Sequence, residues 1–87
     1  SMYNTISRPY YDDSATFKIE LDTELKDLDI YYTFDNTDPD IFSPKYEGPL
    51  SVPRDATWLR TITYRNENPV GKMISLKMDE LKQKAKK

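Results

Sequence analysis

The sequence predicts a small all-β sandwich, and three observations carry that prediction. Strand-length runs alternate apolar and polar residues, turn residues separate them, and no internal segment has a helical pattern of adequate length. A parallel α/β sheet is excluded, because it would need a crossover helix between successive strands. The 87 residues make one domain at most, and four or five short strands in such a chain bury their apolar faces against one another in two layers. Seven Tyr, three Phe and one Trp are a heavy aromatic load. Each large ring removes roughly 150–250 Å² from water, so the expected core is aromatic-rich, with some rings left on the surface.

The elements follow in order. Ser1-Met2 reads as a cloning remnant ahead of a chain that starts inside a longer gene. The lead segment SRPYYDD is a candidate short edge strand. In SATFKIELD, Phe17, Ile19 and Leu21 point one way and Thr16, Lys18, Glu20 and Asp22 the other, which is a half-buried strand. TELKDL is a polar connection. DIYYTF is a second strand, with Ile30, Tyr32 and Phe34 on one face and Tyr31 and Thr33 on the other. Asp35 to Pro44 is a long turn-rich segment. KYEGPLSVP, closed by proline, suits one short edge strand. ATWLRTITYR is the longest β-prone run and the expected central strand. NENPVG is a turn, KMISL a last strand, and MDELKQKAKK a lysine-rich, solvated helical tail that frays at the chain end. The chain thus divides into a lead segment with the remnant at residues 1–14, a β-sandwich at 15–78 and a Lys-rich C-terminal tail at 79–87.

Composition removes several function classes. Formal net charge is −2, which gives no support to a nucleic-acid partner. The absence of Cys and His excludes disulfides, a thiol nucleophile, a Ser-His-Asp triad and the usual zinc sites in this chain. No apolar run approaches the roughly 18 residues of a membrane-spanning helix, so no membrane partner is expected, and no cofactor is implied.

Two groups of residues are candidates for function. Asp35, Asp38 and Asp40 fall within six residues. Clustered carboxylates can hold calcium or act as a glycosidase-type pair. The EF-hand pattern is not met, since its glycine and closing glutamate are missing. The plainer reading is turn chemistry, in which Asp35 and Asp38 accept backbone amides, Asn36 takes a positive φ and Asp38-Pro39 opens a turn. The second group is aromatic: Tyr10, Tyr11, Tyr31, Tyr46, Trp58 and Tyr64. Trp58 alternates with Leu59, so if Leu59, Thr61 and Thr63 face inward, Trp58 lies outside next to Arg60. Tyr31, Trp58, Arg60 and Tyr64 are then candidates for docking a neighbouring domain or for stacking against sugar rings. Packing into the sandwich is the competing explanation.

At IYYTFDNTDPDIFSPKYEGPL and ATWLRTITYRNENPVGK the chain resembles a known module. This is the β-sandwich appended to the catalytic barrel of family-20 β-N-acetylhexosaminidases of the chitobiase type, also described as a fibronectin-III-associated repeat. The matching elements are the strand Ile30-Tyr31-Tyr32-Thr33, the turn Asp35-Asn36-Thr37-Asp38-Pro39, the piece Tyr46-Glu47-Gly48-Pro49 and the strand Leu59-Arg60-Thr61. The likeness covers about Thr16 to the last residue. Asn36 stands where that family usually has glycine, a position compatible with φ > 0. The resemblance implies an immunoglobulin-like or fibronectin-III-like sandwich. It also implies a non-catalytic accessory role in a bacterial, periplasmic or secreted glycoside hydrolase, with the catalytic domain of the same polypeptide as partner. In that family the catalytic residues belong to the barrel, and none maps onto this chain. An independent carbohydrate-binding module is the alternative, with carbohydrate as the partner.

Overall fold

The computed structural model describes residues 2–85 as two antiparallel sheets with a helix at the seam between them. In chain order the elements are β1 (Ile6–Tyr11), β2 (Phe17–Asp22), β3 (Asp29–Thr33), β4 (Leu50–Ser51), β5 (Trp58–Arg65), β6 (Asn68–Pro69), β7 (Ile74–Lys77) and α1 (Met78–Ala85). One sheet has the order β1-β2-β4; in the other, β5 is central, with β3 on one side and β6 and β7 along the other. The all-β sandwich expected from the alternation is therefore the fold. Ser1 of the remnant and the last two lysines of the tail lie outside the described residues.

Alternation decides which side chains meet. In β2, Ile19 and Leu21 are buried while their neighbours stay accessible. In β5, Leu59, Thr61 and Thr63 have no exposed surface, and the register places them beside Leu76, Tyr32 and Ile30 on the inward face. Ile19, Leu21, Ile30, Leu50, Leu59, Met78 and Leu81 form one apolar cluster, with Phe17, Tyr32, Phe34 and Tyr46 packed around it. The aromatic rings thus flank an aliphatic centre.

Three segments differ from their sequence expectation. The lead segment is a full six-residue strand, paired with β2 from Ile6↔Asp22 to Tyr11↔Phe17. Its inward positions are Ser7, Pro9 and Tyr11, opposite Leu21, Ile19 and Phe17. Two of those three are not aliphatic, which hides the period. Pro9 is tolerated because β1 is an edge strand, where a missing N–H breaks no ladder. The following turn is closed by Asp12, whose Oδ1 accepts the amides of Ser14 and Thr16, both at 2.9 Å.

The segment KYEGPLSVP is not a single edge strand. Its start runs beside β3: the Tyr32 amide donates to Pro44 O at 3.0 Å and the Tyr46 amide to Ile30 O at 2.7 Å. Its end, β4, pairs with β2 in the other sheet. Gly48-Pro49 lies between, so this piece carries the chain from one sheet to the other.

The third correction concerns the tail. Met78 and Leu81 are 2% exposed each and belong to the core, and α1 packs against both β1 and β7. The lysine-rich composition conceals an apolar pair at i, i+3, the spacing of one helix face. The Met78 amide donates to Thr57 O at 2.9 Å, which ties the helix start to the residue before β5. Asp79 and Glu80 in the first turn and Lys82 and Lys84 in the last complement the helix dipole.

The inward face of β5 yields a stability prediction. Thr61 Oγ1 is fully buried and has no hydrogen-bond partner among the described residues. A buried unpaired hydroxyl costs about 1–3 kcal/mol, whereas an apolar group of the same shape does not. Thr61→Val is expected to raise stability by about 1 kcal/mol, seen as a Tm increase of roughly 4–8 °C. Thr63→Val should do the opposite, because Thr63 Oγ1 donates to Tyr3 O at 2.5 Å. A thermal melt of the two variants separates the cases.

Candidate functional site

The three aspartates are built into consecutive turns at one end of the sandwich. Asp35 Oδ1 accepts the Thr37 amide at 3.2 Å and the Thr37 hydroxyl at 2.5 Å. Thr33, the last residue of β3, donates its hydroxyl to Thr37 O at 2.6 Å and pulls the turn back onto the strand. Asn36 has φ 70°, the left-handed conformation that Asn tolerates and most residues avoid. Among the described residues Asp38 holds no backbone amide. Its Oδ1 instead accepts the Arg60 guanidinium at 3.1 Å, while the same nitrogen donates to Asn36 O at 2.7 Å. Asp40 Oδ1 accepts the Phe42 amide at 2.9 Å, and Ser43 closes this second turn through its hydroxyl and its amide. Pro39 separates the two turns.

Each carboxylate therefore has its own partner. Among the described residues no three Asp, Glu, His or Cys side chains form a group suited to a metal ion. What the aspartates do chemically is hold the loop in one shape. The Thr37 hydroxyl, and after it the Thr37 amide, hold the Asp35 carboxyl below its ordinary range. Its folded-state value is thus lower than its unfolded one. Its contribution to stability is complete above the ordinary carboxylate value and disappears as pH falls through the depressed value. Comparing Tm against pH for the parent and Asp35→Asn should show a steeper acid decline in the parent. Asn36 supplies a backbone test: Asn36→Gly is expected to be near neutral and Asn36→Ala to lose about 1 kcal/mol by chemical denaturation.

The aromatic candidates do not form a platform. Tyr31 and Tyr64 share the outer face of the β3/β5 sheet but are only 8% exposed each. Their rings meet edge to face, with centroids 5.3 Å apart. Beside Tyr31 on that face, Lys45 pairs with Asp29 at 3.2 Å. These rings are thus part of the fold and not the exposed surface expected of them. Trp58 does face outward and is half-buried, with the Arg60 guanidinium 6.0 Å and the Lys77 ammonium 5.8 Å from its ring centroid. Arg60 is a clamp from β5 onto the aspartate turn. Tyr46 packs against the core, Tyr10 lies under the Arg8 guanidinium at 4.7 Å, and Tyr11 meets Phe17 at 5.5 Å.

Two features at the same end escaped the sequence reading. Phe42 is 94% exposed at the tip of the Asp40 turn. The apolar pair Ile41-Phe42 inside a polar, proline-bounded segment was the available signal. Two residues on from it, Pro44 joins Tyr32, Phe34, Pro53, Asp35, Asp55 and others in lining an open cavity of about 430 Å³. Its lining comes from three separate segments, so no local pattern reveals it.

The geometry defines a small two-sheet β domain whose aspartate turns do structural work. The family model described as Fn3 associated matches residues 19–78, well over half of the chain, and the chain belongs to that family. The matched span runs from β2 to the first residue of α1; β1 and the rest of α1 lie outside it. No curated protein and no solved structure matches the chain.

Proposed function

We propose that this domain is a non-catalytic module of a periplasmic or secreted bacterial glycoside hydrolase of the β-N-acetylhexosaminidase kind. In this reading it packs against or extends the catalytic domain of the same polypeptide. The observation that carries it is family membership across β2 to β7, joined by the resemblance of the Asp35–Pro39 turn and the Tyr46–Pro49 piece to the hexosaminidase module. Both elements have structural tasks, since one is clamped by Arg60 and the other leads from sheet to sheet. That is how a module can keep a signature without keeping a reaction.

The deciding experiment is to sequence the gene on both sides of this segment and assay the encoded protein. An adjoining barrel with paired Asp-Glu carboxylates and hydrolysis of p-nitrophenyl N-acetylglucosaminide supports the reading, provided the 87-residue domain alone gives no turnover. A parent protein without a glycoside hydrolase domain sinks it. The sugar-platform alternative gains nothing from Tyr31 and Tyr64, whose faces are buried. Trp58 fluorescence should stay unchanged on titration with chito-oligosaccharides to millimolar concentration.

A further inference from the structure

We propose that the loop end of the sandwich receives a basic side chain, Arg or Lys, of a neighbouring polypeptide, with its apolar stem in the cavity lined by Tyr32, Phe34 and Pro44 and its charged head against Asp35 and Asp55. The inference rests on the accessory-domain reading only in taking the neighbour to be a protein.

The lining sets the chemistry. Tyr32 and Phe34, edge to face at 5.7 Å, form apolar walls with Pro44 and Pro53. The cavity also carries two carboxylates and no cation. A volume of about 430 Å³ is within the range that holds small ligands. An apolar lining ending in uncompensated negative charge suits a group with a hydrocarbon stem and a cationic tip, which aromatic faces also attract. Arg60 does not supply that charge from within, because its guanidinium is committed to Asn36 O and Asp38. Asp55 makes no hydrogen bond or ion pair to the described residues, so its carboxylate is open to a ligand. A neutral sugar is a poorer fit: the two rings are half-buried and turned edge to face, so they offer no flat stacking surface.

Phe42 indicates a macromolecular source. It lies two residues from Pro44, a cavity wall, and the Asp40–Ser43 hydrogen bonds hold its backbone while the side chain is 94% exposed. A nearly fully exposed aromatic ring on a hydrogen-bonded turn two residues from a cavity wall is the form of an interface anchor, because the backbone that carries it is already ordered before docking. A second copy of this chain is disfavoured by charge. Asp35, Asp40 and Asp55 have no ion-pair partner among the described residues, against the single unpaired cation Arg54 in the same stretch, since Lys45 is paired with Asp29 and Arg60 with Asp38. Two such ends would repel.

The test is an NMR titration of the 87-residue chain with N-acetyl-arginine N-methylamide and its lysine counterpart. The uncharged citrulline derivative is the control, and glucosamine and N-acetylglucosamine form a sugar arm. Saturable shifts at Tyr32, Phe34 and Thr57, with millimolar Kd and at least tenfold weaker binding of citrulline, are expected. Asp55→Asn should weaken the arginine probe about tenfold with the amide spectrum otherwise intact, and Asp35→Asn provides a second variant. Equal binding of citrulline, preferential binding of either sugar, or no saturable shift with the basic probes would each overturn the proposal. The accessory-domain reading is decided separately by the gene context.

Discussion

Leu81→Ala is expected to destabilise the domain by about 2–5 kcal/mol, the cost of emptying a buried leucine site. For a chain of this size that is a large share of a total stability of about 5–15 kcal/mol. The side chain is 2% exposed and belongs to the same cluster as Ile19, Leu50 and Leu59. Met78 beside it is equally buried, so stopping the chain after Lys77 removes two members of the core at once. The truncated protein should show no cooperative unfolding and should bind a hydrophobic dye. Lys84→Ala, on the exposed side of the same helix, should change Tm by no more than a few degrees. A Leu81→Ala melt within about 3 °C of the parent would return α1 to the status of a solvated tail. An eight-residue helix is too short to persist alone in water, so its presence depends on docking. The matched family span stops at residue 78. In this chain the residues just beyond it therefore finish the core.

The strands were legible because alternation is a local signal. Phe17, Ile19 and Leu21 mark β2 without help from any other segment, and Leu59, Thr61 and Thr63 mark the inward face of β5. The outward position of Trp58 followed from the same parity. The turn was legible in part, since Asn36 at φ 70° and Asp35 accepting Thr37 are both local chemistry. What failed were inferences that needed residues distant in sequence, whether on the neighbouring strand or in the other sheet. Nothing local tells Asp38 that Arg60 of β5 will reach it. Likewise, nothing local buries Tyr31 and Tyr64 on an outer face or turns KYEGPLSVP from one sheet to the other. The tail was misread for a different reason. Composition was averaged over the segment, and two apolar residues at helical spacing decide packing whatever the number of lysines around them.

Gly71→Ala carries the second large expected effect, and it depends on contact and not on backbone conformation. A Cβ at this position would stand 2.6 Å from Tyr3 O and closer still to Thr63 Oγ1. Those two atoms are hydrogen-bonded to each other at 2.5 Å, and the Lys72 amide donates to Asn4 Oδ1 at 2.9 Å alongside. The residues ahead of β1 thus cross directly over Gly71 and fasten the N-terminal end of one sheet to β5 in the other. The methyl group must push Tyr3 away or break the Thr63 hydroxyl bond. Overpacking of this kind costs roughly 1–3 kcal/mol, and the separated hydroxyl, with no exposed surface, adds roughly 1–3 kcal/mol. The expected total is about 3 kcal/mol, or a Tm decrease of roughly 12–24 °C at 4–8 °C per kcal/mol. Amide exchange should accelerate first in the residues ahead of β1. A double-mutant cycle checks the cause. Thr63→Ala removes the nearest obstacle, so Gly71→Ala should cost clearly less in that background than in the parent. If the two changes instead add, the methyl group does not act through Thr63. The close crossing would then not be what requires glycine at this position.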